Sequence, residues 1–140
     1  MNELLAEAVL ATRSEAIIAA DREGRIFFWN PGAERIFGHA AANAIGQSLD
    51  LIIPERLRQR HWDGYEKVIE SGHSRYGEAD VLSVPAVRAD GSTLSIEFTI
   101  VPLKDDGQRV SGMIAIIRDV TRRFSELREL KRKLAEVSRT

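Results

Sequence analysis

The tightest constraint on the fold lies in the C-terminal half. Three runs rich in strand-forming residues, 78–87, 93–104 and 110–119, are separated only by Arg88-Ala89-Asp90-Gly91-Ser92 and Asp105-Asp106-Gly107-Gln108-Arg109. In the middle run Leu94, Ile96, Phe98 and Ile100 alternate with Ser95, Glu97, Thr99 and Val101, the period of a strand with one buried face. Asp90-Gly91 and Asp106-Gly107 supply turn chemistry, and connections this short join antiparallel neighbours, because a parallel crossover takes a dozen residues or more. An antiparallel sheet is therefore required, with one parity of each strand facing a core.

The N-terminal half adds two strands and several helices. Ala16–Ala20 and Arg25–Asn30 flank the turn Asp21-Arg22-Glu23-Gly24 and predict a hairpin. Asn30-Pro31 offers a cap and a first-turn proline, so residues 32–37 form a short helix ended by Gly38, and Ala40–Ile45 is a second helical piece stopped by Gly46. Pro54 lets a helix begin but not run through it, which predicts a longer helix over about 55–70, closed by Ser71-Gly72. The order strand, strand, short helices, longer helix, three strands is α+β: a five-stranded antiparallel sheet with helices on one face.

Two appendages flank this unit. Residues 1–13 predict an N-terminal amphipathic helix with Leu5 and Val9 on one side. Residues 121–140 predict a C-terminal dimerisation helix, and apolar positions 120, 124, 127, 130, 134 and 137 recur at gaps of three and four, a coiled-coil seam. A strip so short is marginal alone, and a homodimer contact is expected from it. The central domain then spans residues 14–120.

Composition narrows the function. The 140 residues suit one domain, and 20 basic residues against 21 acidic ones leave no strongly basic surface for nucleic acid. No apolar run is long enough for a bilayer and the N-terminus is acidic, so the expectation is a cytoplasmic protein that uses no membrane. The absence of cysteine removes disulfides, thiolate metal sites, cysteine nucleophiles and cysteinyl chromophores. No phosphate loop or paired nucleophile and base is readable, so the chain is not expected to be an enzyme.

One residue demands a partner. His61 shares the inward stripe of the longer helix with Leu57, Tyr65, Val68 and Ile69. A buried imidazole needs a hydrogen-bond acceptor, a trapped water or a metal. Periodicity alone favours a hydrogen-bonded core histidine over a metal ligand. His39, just after a helix-ending glycine, is expected at the surface, and Trp29 against the sheet and the first short helix.

Residues 14–120 resemble a PAS domain, on the strength of Ile26-Phe27-Phe28-Trp29-Asn30-Pro31-Gly32-Ala33-Glu34-Arg35-Ile36-Phe37-Gly38, Gly46, Arg88-Ala89-Asp90-Gly91-Ser92 and Arg118-Asp119-Val120-Thr121. The closer resemblance is to haem-binding PAS sensors of the FixL oxygen-sensor type. Pro54-Glu55 stands before the helix, His61 falls at the spacing of the iron ligand, and Gly72 and Arg75 match the turn and basic residue beyond. The resemblance implies the PAS fold and haem b ligated through His61, with Lys67, His73 and Arg75 placed in sequence to meet its propionates. Trp62, Tyr65, Ile69, Leu82, Leu94, Ile96 and Met113 are candidates for the apolar slot, and Tyr76 for a group reaching a distal ligand. The stretch Glu78–Leu82 carries neither the arginine nor the methionine found on the distal side in such sensors, which leaves oxygen, carbon monoxide and nitric oxide all open as the gas. The expected activity is gas or redox sensing, with output in trans to a separate signalling protein. The alternative is a non-haem interaction module, empty or holding FAD or a small metabolite.

Overall fold

The computed structural model describes residues 1–72 and 82–139. Five strands form one sheet in the order β2-β1-β5-β4-β3, with β1 Ala16–Asp21, β2 Ile26–Trp29, β3 Leu82–Val87, β4 Thr93–Lys104 and β5 Val110–Asp119. Every recorded pairing is antiparallel. The alternation of β4 and the two Asp-Gly turns set these bounds, and β4 and β5 span the residues the sequence predicts. The part of the first run before Leu82 lies outside the described residues.

Helices cover one face. α2, Pro31–Phe37, begins at Asn30 and ends at Gly38, whose φ of 79° is the left-handed conformation that glycine tolerates best. α3, Ala41–Ala44, and a 3-10 turn, Leu49–Ile52, follow. The core lies between these pieces and the sheet, where Ile18, Ile26, Trp29, Ile36, Phe37 and Ile117 are all buried. Asn30 is buried among them. Its Oδ1 accepts from the N–H groups of Ile17 and Ala33 at 2.8 Å, and its Nδ2 donates to the carbonyls of Thr12 and Glu15 at 3.1 Å. One amide thus caps α2 and ties it to β1.

The longer helix begins later than the sequence predicts. Glu55–Leu57 form a 3-10 turn behind Pro54, and α4 proper is Arg58–Ser71, capped by Gly72 at φ 75°. Tyr65 is its only buried residue, so α4 lies over the domain as a loosely seated cover.

Both appendages are helical, with their apolar side chains exposed. In α1, Asn2–Leu10, no residue is buried, and Leu4, Leu5 and Val9 face solvent. In α5, Thr121–Arg139, Phe124, Leu127, Leu130, Leu134 and Val137 are likewise exposed. The joint before α5 is firmly held. Val120 is buried and donates its N–H to the Ser95 carbonyl at 2.9 Å, while Thr121 Oγ1 accepts from the Ser95 N–H at 2.9 Å. Ion pairs Arg88–Asp119 and Arg123–Glu97, each 3.3 Å, brace it on both sides. Burial works against the Asp119 carboxylate, but hydrogen bonds from Thr121 and the charge of Arg88 prevail and hold its pKa below the usual value. Among the described residues no helix is long and apolar enough to cross a membrane.

Candidate functional site

Positions 61 and 65 are four apart on α4 and so share a face, with Trp62 beside them. Three aromatic rings meet there. The His61 ring centroid is 4.6 Å from that of Trp62 at 75° and 5.7 Å from that of Tyr65 at 43°, while Trp62 and Tyr65 are 5.3 Å apart. Two of the three rings are tied to other elements. Trp62 Nε1 donates to Asp50 Oδ1 at 2.8 Å, and the Tyr65 hydroxyl donates to the Asp21 carbonyl at the end of β1. The indole also lies over the β1–β2 turn, so closely that a Cβ on Gly24 would stand 2.1 Å from its Cη2.

The Nδ1 of His61 is buried and, among the described residues, has no hydrogen-bond partner. Burial lowers its pKa to about 4, and the nearby Asp50 carboxylate, which favours the charged ring, does not reverse this. The imidazole is therefore neutral at physiological pH, the state in which a ring nitrogen can bind a metal. Burial, reinforced by the charges of Asp21 and Glu23, raises the Tyr65 pKa well above that of a free phenol, so Tyr65 remains a donor.

The remaining predicted site residues fall into separate groups. Leu94 and Ile96 are buried in the main core, opposite Ala86 and Val84 of β3. Met113 is buried on β5 outside that cluster, and Leu82 opens β3 opposite Phe98. On β5, Met113 and Ile117 are buried, whereas Ala115, which shares their parity, is only half-buried despite its place on the central strand. Phe98 on the adjacent strand is half-buried too. The middle of the helix-covered face is thus incompletely covered. Lys67 lies on the exposed side of α4 beside Asp63, Glu66 and Glu70. Ile69 lines a surface groove with Trp62, Tyr65 and the turn residues Arg22 and Glu23. His73, Arg75 and Tyr76 lie outside the described residues.

His39 is half-buried rather than fully exposed. Its Nε2 is buried with no partner among the described residues, and its ring stands edge-on to Trp29 at 6.1 Å. The left-handed Gly38 turns the chain back over the indole, and Trp29 Nε1 donates to the His39 carbonyl at 2.9 Å. Trp29 itself packs against Phe37 of α2, as anticipated.

Asp50 and Gly24 are the residues that sequence reasoning passed over. Asp50 left a faint mark, as the one charge in the apolar pentapeptide Leu49–Ile53. Gly24 left none, because a turn already explains a glycine there and the need for space beneath Trp62 is tertiary.

Comparison with known proteins places this geometry in context. The sequence matches the family model of the PAS fold over residues 10–124. Sensor protein FixL of Bradyrhizobium diazoefficiens is 28% identical over 140 residues, covering 94% of this chain and 26% of that protein. Oxygen sensor protein DosP of Escherichia coli is 25% identical over 104 residues, covering 74% of this chain and 13% of that protein. Among solved structures, an RNA-binding light-oxygen-voltage receptor aligns with a TM-score of 0.75 at 24% identity, over 96% of this chain and 37% of that one. The chain therefore corresponds to one segment of these much longer relatives.

Proposed function

The chain belongs to the PAS fold family, and from that membership we propose that it is a haem-based gas or redox sensor domain with His61 as the iron ligand. The observation that carries this reading is the buried, unpartnered Nδ1 of a neutral imidazole. An orphaned nitrogen of this kind costs about 1–3 kcal/mol, which a bound ligand would offset. The described residues hold no group of three or more His, Asp or Glu side chains suited to a bare metal ion. The iron of a porphyrin needs no such group, because the macrocycle brings most of its ligands.

The chain's own contribution is to hold the imidazole neutral and to offer apolar surface. Trp62 and Tyr65 wall the ring, and the half-buried Ala115 leaves part of the sheet available to a flat apolar group. Haem bound there would supply an iron centre that binds a diatomic gas or changes oxidation state. A shift of α4 or of the sheet would pass along β5 to the braced joint at Asp119–Thr121, and so alter how the seam of α5 packs in a homodimer. DosP is an oxygen sensor by name, which makes oxygen the first gas to test.

Titration of the purified protein with haem tests the assignment. The wild type is expected to take up one equivalent with a sharp absorption band, and His61→Ala to lose it. A wild type that stays unbound, or a His61→Ala variant that binds equally well, contradicts the reading. Yellow protein with flavin fluorescence would support the non-haem alternative instead.

A further inference from the structure

A histidine that binds a metal through one nitrogen ordinarily hydrogen-bonds through the other, and that bond fixes its ring. Here the Asp50 carboxylate does something else. Asp50 lies close enough to His61 to favour its charged form, yet among the described residues its side-chain hydrogen bond is to Trp62 Nε1 and not to the imidazole. Rotation about the bond to an imidazole is soft, so contact has to orient the ring if no hydrogen bond does.

Trp62 is well placed to supply that contact. Its indole is held by Asp50, seated on Gly24 and flanked by Tyr65, and its edge relation to His61 is the closest of the ring contacts in the cluster. Asp50 is held in turn: its N–H donates to Ser48 Oγ at 3.1 Å, and the Arg58 guanidinium stands 4.0 Å from its carboxylate. Resting on the haem reading above, we propose that Trp62 is the positioning residue of the site. Tied to Asp50 and seated on Gly24, its indole fixes the plane in which His61 presents its nitrogen. Asp50 thereby does by relay what a carboxylate bonded to the histidine does directly.

The proposal is tested with wild type, Trp62→Phe, Asp50→Ala and Asp50→Asn. In the haem-free proteins, NMR contacts between the His61 ring protons and the aromatic ring at position 62 report ring orientation. Wild type and Asp50→Asn, which keeps an acceptor oxygen, are expected to show one defined set, and Asp50→Ala and Trp62→Phe a weakened or averaged one. In the haem-loaded proteins, well below the melting temperature of each, Asp50→Ala and Trp62→Phe are expected to release haem about 10-fold to 100-fold faster than wild type. Asp50→Asn is expected to stay close to wild type. A purely structural role would lower the melting temperature without changing the ring contacts. If Asp50→Ala keeps the wild-type contacts or the wild-type release rate, the proposal is overturned. If wild type binds no haem while the contacts change as described, the haem reading fails and the positioning of His61 by Trp62 stands.

Discussion

In the ligand-free domain the buried Nδ1 of His61 is a cost to stability. Among the described residues that nitrogen has no partner, so replacing the ring with an apolar side chain removes a cost rather than a bond. His61→Leu is expected to leave the unfolding free energy of the haem-free protein unchanged or to raise it by about 1 kcal/mol in urea titrations. A loss of about 2 kcal/mol or more would show that His61 makes a stabilising contact in the empty protein. The same burial sets a pH dependence. The folded-state pKa is near 4 against 6.5 for a free histidine, so between these values the unfolded chain holds a proton that the folded chain does not. This contribution to stability is complete above about pH 6.5 and is lost as pH falls toward 4, amounting to at most about 3 kcal/mol. Urea midpoints measured at pH 7.5 and pH 4.5 should fall less steeply with acid in His61→Leu than in wild type. Equal slopes would place the imidazole in water.

Asn30 shows how an element is held where the site is not. One side chain satisfies two N–H groups and two carbonyls from α2, β1 and the segment before β1. Asn30→Ala removes all four bonds, though the Thr12 carbonyl keeps the Gly32 N–H at 3.0 Å, and a loss of about 2–4 kcal/mol is expected from thermal or urea unfolding. A loss below about 1 kcal/mol would mean that the cap is dispensable. This junction was legible in advance because Asn30-Pro31 and Gly38 act locally, through a cap, a fixed φ and a left-handed turn. The strands β4 and β5 were legible for the same reason, since alternation and Asp-Gly turns are properties of neighbouring residues. His39 and the grip on Trp62 were not. Both depend on a chain reversal that brings distant segments together: Gly38 folding His39 back over Trp29, and the β1–β2 turn with Asp50 closing around the indole. Sequence could mark His61 as needing a partner, but not that Asp50 would bond its neighbour.

At the scale of the whole molecule, the exposed seam of α5 is the surface least suited to a monomer. Phe124, Leu127, Leu130, Leu134 and Val137 form one apolar line beside paired charges such as Arg122–Glu126 and Arg132–Glu136. Sedimentation should show a concentration-dependent dimer, weakened at least 10-fold by Leu127→Glu with Phe124→Glu, because two buried charges on each helix oppose the contact. A wild type that sediments as a monomer at every concentration would remove the seam from the signalling path. The central claim is the identity of the group at His61, and one absorption spectrum, recorded oxidised, reduced, and reduced under carbon monoxide, tests it most directly. Haem bound at His61 gives a band at one equivalent per chain that shifts on reduction, shifts again with carbon monoxide, and is absent from His61→Ala. A protein that remains colourless after haem is supplied, or the same three spectra from His61→Ala, would contradict it.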